Sequence, residues 1–396
     1  MLKSNHSSSV VTAIVPNEAV ADVTTALHDK MNMGVLQWDA RGTLLQEQWW
    51  RRWVPPISPS KVALQLLAAN DDVDSIERTI IQTAKLDKQA TGAVFSSPCA
   101  LTYFGEGFSA WQIEEDSAEE STLNSANSVG SLDENLSAIY CVVDHQSSDR
   151  VCAAAINAGA HGPVVYYSEG RGLRDRLGWL RITKEHEKEV LLVVAQNTDA
   201  DRIFDAMAQA GNLYMPGRGF MYSLPVSKGM FNLRSRVSQS HHDASMQQII
   251  SAIDHIAGHN HWRDGPTKNT VVDGSTQGSS HGPAEYLNNQ VCLSVICRRD
   301  ESSSLINMML DSGAPGLNFT HARFSDAHIE EQLGGACISD EYAMLRCVTH
   351  ADTAEKVCHL LESEAGERDI ADFCAHIVQA PRVASYVPGK RNYRAA

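Results

Sequence analysis

The sequence predicts an α+β fold made of three tandem copies of a β-α-β-β-α-β unit. Three observations carry this. Spans of roughly a hundred residues repeat one order of strand-like and helix-like runs, polar stretches separate the spans, and glycine turns punctuate the middle copy at Glu169-Gly-Arg-Gly172 and Gly217-Arg-Gly219. An apolar fraction of 43% spread over 396 residues suits several small cores better than one large one.

The first copy, residues 1–113, opens with a strand over 9–15 and a helix over 17–31, where Val20, Val23, Ala26 and Leu27 fall near helical spacing. Strands over 34–38 and 61–67, a helix over 73–86 and a strand over 93–95 complete it. Residues 114–136 are rich in Glu, Asp, Ser and Asn, too polar to offset the entropy of ordering, and read as a linker. The middle copy, 137–240, has strands over 138–143, 163–167, 189–195 and 219–224, with helices over 147–158 and 199–210. Ser147 or Ser148, and Thr198 or Asp199, are expected to cap those helices. Residues 241–285 hold a capping-box pattern leading into a short helix with Ile249, Ile250, Ile253 and Ile256 on one face, followed by a Gly/Ser-rich linker. The third copy, 286–396, repeats the order with strands over 290–297, 317–322, 342–348 and 373–378 and helices over 302–311 and 353–364. A β-α-β-β-α-β order gives a ferredoxin-like antiparallel sheet with both helices on one face. The other face needs cover, and three such faces in one chain can close on each other as an intrachain pseudo-trimer.

Lys+Arg 33 against Asp+Glu 48 gives a net charge of −15, which argues against a nucleic-acid or anionic-membrane surface. Nine cysteines form no CxxC pair and sit mostly in apolar runs, the usage of buried thiols in a reducing cytoplasm. The N-terminal stretch has no apolar core of a signal peptide and no run is long enough to span a bilayer, so a cytoplasmic protein not inserted in a membrane is expected.

The middle copy resembles the PII and PII-like signalling family. Four landmarks carry the resemblance in order: the turn Ile156-Asn-Ala-Gly-Ala-His-Gly-Pro-Val-Val165, then Gly170-Arg171-Gly172 where the family's T-loop begins, Gly211-Asn-Leu-Tyr-Met-Pro-Gly-Arg-Gly219 like its nucleotide-contacting B-loop, and Arg234-Ser-Arg236 like its C-terminal Arg-x-Arg pair. The resemblance implies trimeric architecture and binding of an adenine nucleotide (ATP, ADP, AMP or cyclic AMP) between neighbouring units, with bicarbonate or 2-oxoglutarate as a further effector. It implies a non-enzymatic regulator with no required cofactor, acting on a target protein such as a membrane transporter or metabolic enzyme in nitrogen or inorganic-carbon metabolism. The departures are equally specific. Arg218 and Phe220 stand where the family has acidic and lysine residues, the T-loop is short, and the first and third copies keep only Arg41-Gly42 and Arg323 of these landmarks.

Independently of the resemblance, amides freed by Gly217 and Gly219 can approach phosphate, and Arg218, Arg234 and Arg236 can pair with its oxygens. Gly170, Arg171 and Gly172 complete the candidate ligand set. A tight turn and a solvated strand edge are the alternative readings of the glycines and of the arginine pair. Trp49, Trp50, Arg51, Arg52 and Trp53 form either a partner-docking loop or a cover for this protein's own sheet. The histidines at 241, 242, 255, 259, 261 and 281 lack the cysteines or carboxylates of a recognised metal site, and no metal is expected. There is no GxSxG, Walker A, HExxH or GxGxxG pattern, so no catalytic residues are assigned. The competing function is a structural scaffold of PII-like repeats that have lost ligand binding.

Overall fold

The computed structural model describes residues 2–4, 8–42, 60–88, 92–105, 108, 111, 132–172, 187–232, 286–325, 340–364 and 372–386. The first segment contains β1 (Leu2–Ser4), β2 (Ser8–Pro16), α1 (Val20–Met31), β3 (Val35–Gly42), β4 (Ser60–Ala69), α2 (Val73–Ala84) and β5 (Gly92–Phe104). The second contains β6 (Leu136–Asp144), α3 (Ser148–Asn157), β7 (Val164–Gly172), β8 (Glu187–Gln196), α4 (Asn197–Gly211), β9 (Gly219–Val226) and β10 (Lys228–Asn232). The third contains β11 (Gln290–Arg298), α5 (Ser302–Asp311), β12 (Gly316–Ser325), β13 (Asp340–His350), α6 (Ala351–Glu364), β14 (Phe373–Ala380) and β15 (Arg382–Ser385). The protein is thus a mixed α+β molecule dominated by sheet.

The helices form where apolar residues recur every three to four positions. In α4, Ala200, Ile203, Phe204, Met207, Ala208 and Gly211 make one buried stripe, and in α2 Ile76, Ile80 and Ala84 do the same. Asn32, Lys85 and Asn212 stop α1, α2 and α4 in the left-handed region, with φ of 52, 54 and 50°. The expected hydroxyl and carboxylate caps are not used. Ser148 Oγ donates to the His145 carbonyl at 3.1 Å, and β8 runs directly into α4 with Gln196 at the extended cap position, which leaves Thr198 and Asp199 inside the first turn.

In every segment the strands lie in the order fourth, first, third, second: β5-β2-β4-β3, β9-β6-β8-β7 and β14-β11-β13-β12. The second strands meet as a triangle, with Arg41 opposite Val165, Phe319 opposite Glu169, and Phe324 opposite Leu36. The strand ends are exchanged in a ring. The latter half of β5 pairs with β14, β15 pairs with β9, and β10 pairs with β5. All strands therefore belong to one 15-stranded sheet.

Alternation along the strands sorts side chains onto two faces. In β8, Leu191, Val193 and Ala195 pack with the α3 and α4 side chains, whereas Val190, Leu192 and Val194 join a core shared by all three segments. In β13, Ala343, Leu345 and Cys347 pack with α5 and α6, and Tyr342, Met344 and Val348 enter the shared core. Tyr140 and Tyr222 stack in that core with ring centroids 5.2 Å apart.

Several expectations are revised. The strand expected over 93–95 extends to Phe104, because beyond Pro98 it leaves β2 and pairs with β14. The loop expected from Gly170 begins later, since Gly170, Arg171 and Gly172 complete β7 and pair with Asn318, Leu317 and Gly316. The end of the acidic linker is tied down by Asp133, which exchanges two backbone hydrogen bonds with Gly229 at 2.8 and 3.0 Å. Eight cysteines are described, all as free thiols and all but Cys99 buried; Cys337 lies outside the described residues. The short helix expected after 245 also lies outside them. Among the described residues no helix is long and apolar enough to cross a membrane.

Candidate functional site

The first and second segments meet where β3 ends. There Arg41 crosses the junction: its Nη2 lies 3.3 Å from Glu189 Oε1, 3.5 Å from Asp149 Oδ1 and 3.4 Å from Ser148 Oγ. His145 Nδ1 reaches the same Glu189 oxygen at 3.1 Å. The Glu189 side chain is 8% exposed, and its other oxygen, Oε2, has no hydrogen-bond partner among the described residues. Charge-assisted hydrogen bonds ordinarily run at about 2.7–2.9 Å. Both Arg41 contacts to carboxylates are longer, and its side chain is 35% exposed. Below it lies Cys152, whose thiol is pushed up to about 12 by burial despite the pull of Arg41, and it is no nucleophile at neutral pH.

The glycine turn is at the same end of the sheet. Gly219 lies opposite Val143, and Val143 on its other side lies opposite Glu189. Gly217 and Gly219 have φ of 74 and 120°. A Cβ on Gly219 would stand 1.9 Å from the Val142 carbonyl oxygen, so β6–β9 pairing itself demands glycine there. Arg218 is exposed, and its amide closes the turn onto the Met215 carbonyl at 3.3 Å.

The other two junctions are built differently. Between the second and third segments, Arg171 Nη2 donates to Glu169 Oε2 at 3.1 Å, while Glu169 Oε1 lies 3.4 Å from His321 Nε2. Between the third and first, Arg323 Nη2 donates to Asp39 Oδ1 at 3.0 Å. The structure thus separates Gly170, Arg171 and Gly172, which serve the second–third junction, from Arg41 at the first–second one. Arg234 and Arg236 lie outside the described residues, as do Trp49, Trp50, Arg51, Arg52 and Trp53. The strand leading to the arginine pair, β10, ends with Asn232 opposite Gly92 of the first segment, whereas the strand beside Gly219 is β15 of the third, with Ser385 opposite Phe220. Among the described residues no group of His, Cys, Asp and Glu gathers as a metal site.

From sequence, Arg41 reads only as a remnant of the T-loop start in the first copy, with no ligand role, and Glu189, His145 and Asp149 are missed. The available signal was Glu189 itself, the charged residue that borders the apolar run 190–195; its partner is 148 positions away.

No family model matches the chain, and no curated protein matches it. Among solved structures, the chain is similar to Arabidopsis thaliana PII bound to citrate at 20% identity, over 24% of this chain and 80% of that one, with a TM-score of 0.19. It is also similar to an aspartate kinase from Synechocystis at 8% identity, over 95% of this chain and 43% of that one, with a TM-score of 0.21. An anthrone oxidase-like protein matches at 10% identity, over 58% of this chain and 94% of that one, with a TM-score of 0.17. None of these likenesses, at such scores, assigns an activity to the chain.

Proposed function

We propose that the three segments are PII-like repeats of ferredoxin-like topology closed into a pseudo-trimer within one chain. In this reading the protein is a non-enzymatic regulator that binds an adenine nucleotide or another small anionic metabolite at the first–second junction. The partly exposed Arg41 side chain, with its long contacts to carboxylates, beside a buried Glu189 oxygen that has no partner among the described residues, is the observation that supports it. Arg41 offers a fork to phosphate or carboxylate, and Glu189 accepts from an amino or hydroxyl group of the same ligand. Ligand occupancy then changes the loops on this end of the sheet, and with them the affinity for a target protein, to the extent that the ligand prefers one loop state. A target in nitrogen or inorganic-carbon metabolism, such as a transporter or metabolic enzyme, belongs to this reading.

A second reading is favoured at the other two junctions. Arg171 and Arg323 each hold a single carboxylate at the shorter distances of 3.1 and 3.0 Å, as the structural contacts of a scaffold would. Calorimetric titration with ATP, ADP, AMP and cyclic AMP, with and without bicarbonate or 2-oxoglutarate, tests the proposal. Micromolar binding at one site per chain is expected, weakened about ten- to hundredfold by Arg41→Ala through loss of a charge-assisted bond. A folded protein that binds none of these ligands would leave the scaffold reading for the whole chain.

A further inference from the structure

The three segments meet in the shared core at Arg346 of β13. Its side chain belongs to a residue 3% exposed, yet each contact it makes is neutral. Nη1 donates to the Tyr166 hydroxyl of the second segment at 3.1 Å, and Nη2 to Gln65 Oε1 of the first at 3.0 Å. Cζ lies 5.0 Å from the Tyr140 ring centroid and 6.0 Å from that of Trp38. Burial raises the Tyr166, Tyr140 and Tyr222 hydroxyls above their ordinary range, so no tyrosinate forms at neutral pH. Among the described residues no carboxylate pairs with Arg346. A guanidinium in a dry interior is expensive unless an opposite charge meets it.

The surroundings also hold unmet donors. Gln65 spends its oxygen on Arg346, which turns its amide toward His376 Nε2 at 3.5 Å and makes that nitrogen the acceptor. The imidazole is held down to about 3, by burial and then by Arg346, and is neutral. Its proton therefore sits on Nδ1, which is buried and has no partner. Trp38 Nε1 is likewise buried and unpartnered. An arginine has five N–H donors, and the contacts to Tyr166 and Gln65, with a further one to the Tyr140 hydroxyl, leave others unused. One unmet acceptor is close in sequence register, Asn318 Oδ1 on the strand position opposite Arg346. A water molecule would satisfy some of these groups but leave the charge.

We propose that a small inorganic anion of halide size binds against Arg346 where the three segments meet, drawing on the free guanidinium N–H groups and on the Trp38 and His376 donors. Because Arg346 is buried, the anion enters as the chain folds, and it joins all three segments through one charge. This inference does not depend on ligand binding at Arg41.

The test unfolds the full chain in urea and refolds it in sodium gluconate, chloride or bromide at one ionic strength. The melting temperature is expected to be several degrees higher in the halides and to rise with the logarithm of halide concentration, as for any ligand of the folded state. Arg346→Met, of similar length without the charge, is expected to lose that dependence. Crystals grown from the bromide-refolded protein are expected to show anomalous density within hydrogen-bonding reach of the guanidinium, and this decides the matter should the variant fail to fold. Equal melting in all three salts, or a water molecule in place of bromide at Arg346, would overturn the proposal.

Discussion

Replacing Trp111 by alanine is expected to lower the stability of the folded chain by about 3–5 kcal/mol, the usual cost of removing a large aromatic side chain from a packed interior. Trp111 follows the end of β5, in a stretch whose composition gives little hint of structure, and is 2% exposed. Its Nε1 donates to the Gly34 carbonyl at 2.7 Å. The ring lies 5.4 Å from Phe108 and 5.6 Å from Phe324 of the third segment, while Phe108 also meets Phe324 at 5.7 Å and Tyr342 at 6.5 Å. The cluster therefore closes the first segment against the third, and its loss opens a cavity between them. Trp111→Phe keeps most of the ring contact but leaves the Gly34 carbonyl without its donor, for an expected cost of about 1–3 kcal/mol. Urea midpoints of the two variants check both numbers; a wild-type midpoint for the alanine variant would mean that Trp111 is not seated there.

The second large effect is a dependence on pH set by Glu77 of α2. The residue is fully buried, and the one group named against its carboxylate is the Ser96 hydroxyl, a weak contact. Burial pushes its carboxyl up to about 7, with the Ser96 hydroxyl pulling weakly the other way. An acid whose pKa is higher folded than unfolded binds its proton more tightly in the native state. The associated stability is fully present below the unfolded value, 4.5, and is lost as pH rises through about 7. The shift corresponds to roughly 3 kcal/mol over that window. Glu77→Gln removes the titration, so the difference in melting temperature between variant and wild type is expected to grow in the variant's favour from pH 4.5 to 8. A constant difference across that range would show that Glu77 does not carry the linkage.

Element order was legible in the sequence because both periodicities are strong. Stripes such as Ala200, Ile203, Phe204 and Met207 in α4 mark a helix whatever surrounds it, and runs such as 190–195 in β8 mark a strand buried on both faces. What stayed hidden depends on contacts between distant segments. The second half of β5 follows Ser96, Ser97 and Pro98, which pair with β2, and continues as strand beyond Pro98 because β14 supplies a partner for its backbone. Arg346 sits where a solvent-facing residue would serve as well, and its burial follows from partners 281 and 180 positions away. The same limit applies to the candidate site. Arg41 and the 217–219 turn have local signatures, whereas the junction contact with Glu189 and His145 exists only once two segments are side by side. At Gly219 a ligand turn and a tight turn both fit the sequence, and the clash with the Val142 carbonyl shows that strand pairing alone requires glycine, so the residue type does not discriminate between those roles.

The central claim, a ligand site at the junction of the first and second segments, is tested most directly by hydrogen–deuterium exchange of the full chain with and without saturating ATP. The account predicts slowed exchange confined to the segments that meet at Arg41, namely 41–42, 145–149 and 187–189, together with the 217–219 turn, and no such slowing in Arg41→Ala. An exchange pattern unchanged by the nucleotide, or protection centred on the second–third or third–first junction instead, would contradict it.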